Sequence, residues 1–318
     1  MQCSIATRSA NAAAREHSAR PAGGAIATGC RINERHAARL PRALNFPDPS
    51  PSSLPVKAIT SRDNPLYKRL KALAGSTHQQ RRSGHALLEG FHLASAYLDV
   101  AGQPEMCIVT DGALRHEEAQ AIVSRIDDQR IVTLPDALFG QLSNVVHGVG
   151  ILLLVEKLDA PLPETVAQTC LVLDGVQDAG NVGSILRSAA AAGIEQVFCA
   201  PGTAYAWSSK VLRSGMGAHF LLQIHEDVDA QTLIERLAVP IVITDSHGAE
   251  AIYDCDLSAE LAWVFGNEGA GVSQIWRDAV SLRVTIPQPG GMESLNVAAA
   301  AAVCVFEQCR QQRASAAQ

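Results

Sequence analysis

At 318 residues, with 47% hydrophobic and 18% charged residues, the chain exceeds one minimal core and suits two modest domains. A net charge of −6 argues against a protein that coats nucleic acid over its whole surface, but leaves local basic patches open. Eight scattered cysteines, with no Cys-x-x-Cys pair and no His-x-x-x-His beside them, exclude a zinc ribbon and a disulfide framework; they predict reduced, mostly buried thiols and no metal site.

Residues 1–55 are rich in Ala, Ser, Arg and Pro, carry few acids and end in "FPDPSPSSLP", which forms no regular element. They are expected to be a disordered tail. The arginine-rich, acid-poor composition also suits an organellar transit peptide, although it lacks a clear amphipathic period, and an artefactual upstream start would explain it equally well. Residues 56–155 read as a small α/β domain. "NPLYKRLKAL" repeats Leu66, Leu70 and Leu73 at helical spacing; "HALLEGFHLASAYLDVAG" is a strand and then a helix ending at Gly102. "EMCIVT" is a buried strand, "EEAQAIVSRI" a helix and "GVGILLLVE" a last strand. Within 57–82, Lys57, Arg62, Lys68, Arg69, Lys71, Arg81 and Arg82 face one acid, Asp63, which suits either a solvated helix face or phosphate contacts to RNA. Two prolines mark 156–169 as a linker.

From Cys170 short apolar strands alternate with helices: "CLVLD", "QVFCA", "FLLQI", "PIVITD", "AWVFG" and "LRVTIP", separated by "SILRSAAAAG", "DAQTLIERLA" and "SQIWRDAV". That pattern over 170–312 predicts a mostly parallel sheet covered on both faces, with 313–318 as a short tail. No apolar run reaches bilayer length, so a cytoplasmic protein with no membrane contact is expected. Ligands on such sheets sit beyond the carboxyl ends of the strands, so the loops there are where chemistry is sought.

Three of those loops stand out. "LDGVQDAGNVGSILRSA" (173–189) carries Gly175, Gly180, Asn181 and Gly183, with Arg187 in the following helix, a setting that attracts anions. Its spacing is neither a phosphate-binding P-loop nor a dinucleotide fingerprint, so a nucleotide-dependent oxidoreductase is disfavoured. "WVFGNEGAGVS" (263–273) puts Asn267 and Glu268 among glycines at a strand tip. "IPQPGGMESLNVAAAA" (286–301) is turn chemistry followed by a helix start, with Ser294 or Glu293 as the expected cap.

Taken in order, Asn181-x-Gly183-x-x-x-Arg187, then Phe265-Gly266-Asn267-Glu268-Gly269, then Ile286-Pro287 with Glu293-Ser294-Leu295-Asn296-Val297, resemble the three motifs of the SpoU (TrmH-like) branch of the SPOUT RNA 2′-O-ribose methyltransferases. "ITSRDNPLYKRL … ALLEGFHL" resembles the small L30e-like substrate-binding domain that precedes the catalytic domain in many members. The resemblance implies an α/β fold: a C-terminal trefoil-knotted methyltransferase domain behind that small N-terminal domain. It implies S-adenosylmethionine held by Phe265, Gly266, Asn267, Gly269, Ile286, Pro287, Gln288, Ser294, Leu295 and Asn296. Gln288 departs from the family, which more often has Met there. It also implies a centre of Arg187, Asn181, Glu268, Ser294 and Asn296, with Arg187 at the 2′-hydroxyl. Further implications are a homodimer and a structured RNA substrate, ribosomal before transfer RNA and guanosine as a guess, gripped by Arg187 and the seven basic residues of 57–82. The alternatives are a transfer-RNA ribose methyltransferase, a base methyltransferase, and an RNA-binding member without turnover.

Overall fold

Alternation of side chains along short strands builds both sheets. The computed structural model describes residues 57–143, 148–245 and 250–316; the expected tail at 1–55 lies outside them. The first sheet comprises β1 (Lys57–Ala58), β2 (His85–Glu89), β3 (Met106–Thr110), β4 (Ile131–Leu134) and β5 (Ile151–Glu156), in the order β1-β4-β3-β5-β2. β5 runs antiparallel to both its neighbours. Ala86, Leu88, Cys107, Val109 and Leu153 face one side of this sheet, and Leu87, Ile108, Leu152 and Leu154 face the other. The helix Pro65–Gly75, capped by Asn64 and opened by Pro65, seats Tyr67, Leu70 and Leu73 on that second side.

The second sheet holds β6 (Cys170–Asp174), β7 (Gln196–Cys199), β8 (Gln223–His225), β9 (Ile241–Thr244), β10 (Glu250–Ala251), β11 (Ala262–Gly266) and β12 (Leu282–Thr285). Its order is β10-β12-β9-β11-β6-β7-β8, and every pairing is parallel. Leu171, Leu173, Trp263 and Phe265 point to one face, against the helices Ala179–Ala192 and Val297–Ala316. Cys170, Val172, Ala262 and Val264 point to the other, against Trp276 of the helix Gln274–Ala279. A sheet apolar on both faces is what near-continuous Val/Leu/Ile strands produce. Burial pushes the thiols of Cys107 and Cys170 up to about 12, so both act as core side chains and not as nucleophiles.

Two close approaches set the helices. Gly183 lies where the helix Ser209–Gly215 crosses Ala179–Ala192: a Cβ there would collide with Ser214 and lie 2.6 Å from the Val211 carbonyl oxygen. The last helix is tied to β11 through a buried polar bond, the Trp263 indole N–H donating to Gln308 Oε1 at 2.6 Å while Gln308 Nε2 donates to the Ala259 carbonyl at 2.8 Å. Leaving that indole N–H unpaired would cost about 1–3 kcal/mol.

Several expectations are corrected here. The last helix continues to Ala316, through most of the segment read as a tail. It is capped by Asn296, whose Oδ1 accepts from the N–H groups of Ala298 and Ala299, and not by Ser294 or Glu293. β8 occupies 223–225 and not 220–224, because Gly217 (φ 86°) starts a 3₁₀ turn over Ala218–Phe220 that leaves Leu221 exposed. β4 and the helices Thr77–Ser83 and Ser209–Gly215 had no counterpart in the sequence reading. The seven cations of 57–82 are all exposed, yet Asp63 is not their sole acid: it pairs with Lys68, while Arg69 pairs with Glu105 and Arg81 with Asp227.

Candidate active site

The carboxyl ends of β6, β9, β11 and β12 share one rim, as parallel pairing requires. The loop leaving β11 folds back on itself: Asn267 and Gly271 exchange backbone hydrogen bonds at 3.0 and 2.9 Å, and Gly271 adopts φ 69°. Gly266 makes that return possible, since a Cβ there would fall on the backbone of Gly271 and Val272. Asn267 locks the loop internally, its Oδ1 accepting from Gly269 and Ala270 N–H, and ties it to the neighbouring loop by donating from Nδ2 to the Gly175 carbonyl at 2.9 Å.

Glu268 then reaches the start of the helix Ala179–Ala192. Its carboxylate accepts from Gln177 N–H (3.1 Å), Asp178 N–H (3.1 Å) and Asn181 Nδ2 (2.9 Å). Burial opposes its charge, but the Asn181 amide and these backbone donors prevail and hold the carboxyl below the usual range. Asn181 Oδ1 in turn accepts from Asn296 Nδ2 at 2.9 Å, and Asn296 Oδ1 is fixed by its capping bonds. A single chain of hydrogen bonds therefore links all three motif loops. It fixes the orientation of both amides, and each keeps a second N–H for a ligand. Asp178 completes the cluster: it caps the helix through Gly180 and Asn181 N–H and pairs with Lys210 Nζ at 2.9 Å.

Beside this chain opens a cleft of about 900 Å³. Gly266, Asn267, Glu268, Gly269, Ile286, Gln288, Ser294, Leu295 and Asn296, all expected at the site, line it. Phe265 does not: its ring is 1% exposed and stacks on Trp263 at 6.2 Å, so it serves the core. Pro287 lies outside the lining. Arg187 also stands apart. Six residues beyond Asn181, it faces a different side of the helix and lines a separate apolar groove with His92, Met216 and Leu221. Among the described residues it has no hydrogen-bond or ion-pair partner, so Glu268 orients Asn181 and not Arg187.

The cleft also holds residues that the sequence did not single out: Thr244 and Asp245 at the tip of β9, Arg277 and Met292. Arg277 Nε donates to the Val272 carbonyl at 2.9 Å, and its Nη1 lies 3.3 Å from Asp245 Oδ2. Parallel topology was the available signal, since β9 adjoins β11 and its tip must share the rim. Gln288 has a further feature. Its Oε1 is buried at the cleft wall with no hydrogen-bond partner, a condition that favours a ligand donor. No cluster of three or more His, Cys, Asp or Glu side chains suited to a metal ion occurs among the described residues.

Comparison with known proteins gives concordant results. The model of the SpoU rRNA Methylase family matches residues 168–306. An uncharacterized tRNA/rRNA methyltransferase of Synechocystis sp. is 30% identical over 274 residues, which is 83% of this chain and 98% of that protein. The 23S rRNA (guanosine-2′-O-)-methyltransferase RlmB of Nitrosomonas europaea is 30% identical over 257 residues, covering 80% of this chain and 89% of its own. Among solved structures, the SpoU methyltransferase AviRb of Streptomyces viridochromogenes in complex with the cofactor AdoMet superposes with a TM-score of 0.70 at 25% identity, over 79% of this chain and 98% of that one. Three motif loops joined by one hydrogen-bond chain thus coincide with similarity to a relative 30% identical over 83% of this chain, and the chain belongs to the SpoU rRNA methylase family.

Proposed function

We propose that the chain is an S-adenosylmethionine-dependent methyltransferase that acts on a ribose 2′-hydroxyl of large-subunit ribosomal RNA, with guanosine as the favoured nucleoside. The observation that carries this reading is the Glu268–Asn181–Asn296 chain, which aims two fixed amides beside a cleft of nucleoside-cofactor size. The residues present suit the cofactor. Glycine backbone at 266, 269 and 271 admits close approach, Ile286 and Leu295 offer apolar walls, and the unpartnered Gln288 Oε1 would take an N–H donor such as an adenine amine. When bound, the cofactor supplies an electrophilic methyl group on a sulfonium. A trefoil knot in the second domain, an L30e-like fold of residues 56–155, a homodimer and a cytoplasmic location belong to the same proposal. No helix among the described residues is long and apolar enough to cross a membrane.

In the transfer a ribose O–CH₃ bond forms, the S–CH₃ bond breaks and the 2′-hydroxyl loses its proton. Glu268 is ill suited to take that proton, because three donors already occupy its oxygens and its basicity is lowered. Arg187 cannot take it either, since a guanidinium stays protonated in proteins. Arg187 instead binds the adjacent phosphate and stabilises the developing alkoxide, and a phosphate oxygen or water receives the proton. Asn181 and Asn296 orient the ribose, which lets alignment of oxygen, carbon and sulfur supply much of the acceleration. Because Arg187 lies off the cleft within one chain, the homodimer is part of this reading: a second copy would bring its Arg187 to the ribose held here. Incubating the protein with labelled cofactor and, separately, unmodified ribosomal RNA and bulk transfer RNA tests the substrate class. Label in ribosomal RNA alone is expected; label in transfer RNA alone would replace the substrate assignment.

A further inference from the structure

Next to the motif cluster, a second cleft of about 600 Å³ runs between the turn at 74–81 of the first domain and residues 204–213 of the second. Its lining carries Arg81, Lys210 and Arg213, with the hydroxyls of Thr77 and Ser209 between them, and no carboxylate. In a chain of net charge −6 that composition runs against the trend. Arg81 is held in place from two sides. Its guanidinium lies 4.7 Å from the centre of the Tyr205 ring and pairs with Asp227 at 2.6 Å, so a cation of the first domain is fixed against the second. At the other end Lys210 shares Asp178 with Asn181, as Lys210 Nζ meets Asp178 Oδ2 and Asn181 N–H meets Asp178 Oδ1. The cleft is therefore continuous with the reacting cluster through one shared carboxylate, and with the exposed basic stretch 57–82 through Arg81.

We propose that this interdomain cleft binds the phosphodiester backbone of the RNA strand flanking the modified nucleotide, with Lys210 and Arg213 as its main cations. The inference rests on the reading of RNA as substrate and adds a path: the strand leaves the Asn181 side of the active site, crosses Lys210 and Arg213, and reaches Arg81. Three cations with hydroxyl donors, two of them held by carboxylates that lie outside the lining (Asp227 for Arg81, Asp178 for Lys210), suit a phosphodiester, and such contacts carry affinity without sequence information.

The test measures dissociation constants of the full chain for in vitro transcribed, unmodified large-subunit ribosomal RNA and for an unrelated RNA of equal length, over a range of KCl. The variants are Lys210→Ala, Arg213→Ala, the double variant and Lys210→Arg. Each alanine substitution is expected to weaken binding several-fold and to make the slope of log affinity against log salt shallower by about 1, equally for both RNAs. Lys210→Arg should restore both readings. Cofactor affinity serves as the folding control. Arg213 is half-buried, so loss of cofactor binding in its variant shifts the decision to Lys210, which is exposed. Wild-type methyl transfer with an unchanged salt slope in Lys210→Ala would overturn this path and leave the methyltransferase reading intact. RNA binding with the expected slopes but no methyl transfer would do the reverse.

Discussion

Replacing Glu268 with glutamine keeps the shape of the side chain and removes one acceptor. In the native arrangement Oε1 accepts from Asp178 N–H and Asn181 Nδ2, and Oε2 from Gln177 N–H. Glutamine can accept on one oxygen only, so at least one of these donors would face an NH₂ group. Hydrogen bonds to a charged group are worth about 1.5–3 kcal/mol when buried. Glu268 is exposed, and solvent screening reduces this to about 1–2 kcal/mol for the site. Because the cost falls on the bond that orients Asn181, kcat/KM for RNA methylation should fall roughly 5–30-fold, with a loss in Tm of only about 2–8 °C. The pH dependence adds a second reading. The folded carboxyl titrates below its ordinary value of about 4.3, so the unfolded chain binds more protons in the interval between the two values. The stabilisation is then complete above about pH 4.3 and is lost as pH falls through the lower, folded value. Thermal melts of wild type and Glu268→Gln should converge in acid. Steady-state kinetics within two-fold of wild type, with parallel melts across pH, would refute the pinning role.

Arg187→Lys should lose most turnover while cofactor affinity, measured by calorimetry, changes little; a large loss of cofactor binding would count against the phosphate-and-alkoxide role. Gly266→Ala drives a Cβ onto the Gly271 and Val272 backbone, so a loss of at least about 1–3 kcal/mol is expected, visible as a lowered Tm together with weakened cofactor binding. Gln288→Met removes the unpartnered acceptor at the cleft wall and should weaken cofactor binding about 3–10-fold at unchanged Tm; equal affinity would show that Gln288 Oε1 meets no cofactor donor. His219 is fully buried beside Trp207 and donates its Nε2–H to the Ala206 carbonyl at 2.7 Å, and burial pushes its pKa down to about 4. Its folded pKa lies below the unfolded value of about 6.5, so stability should fall as pH drops from about 6.5 toward 4, by up to about 1.4 kcal/mol per unit, in chemical denaturation.

What could be read in the sequence was whatever local spacing controls. Alternating apolar strands announced the parallel sheet, and glycines with polar residues at three strand tips announced the rim. What could not be read depended on three-dimensional partners. Asn296 took the cap from Ser294 because its position lets one amide serve both the helix and Asn181, a contact 115 residues away in sequence. Phe265 reads as a motif residue, but strand alternation turns its ring into the core beside Trp263. Asp245 and Arg277 carry no local pattern and reach the cleft only because β9 adjoins β11. Short elements such as β4 and Ser209–Gly215 lacked the length for a periodic signal, and Gly183 reveals its purpose only where the second helix crosses it.

The most direct test of the central claim locates the transferred methyl group. Large-subunit ribosomal RNA labelled by the protein from methyl-labelled S-adenosylmethionine would be hydrolysed in alkali, which cannot cleave the bond beside a 2′-O-methyl ribose. The account predicts label in an alkali-resistant dinucleotide for the wild type and none for Arg187→Ala. Label released on a mononucleotide base, or undiminished transfer by Arg187→Ala, would contradict it.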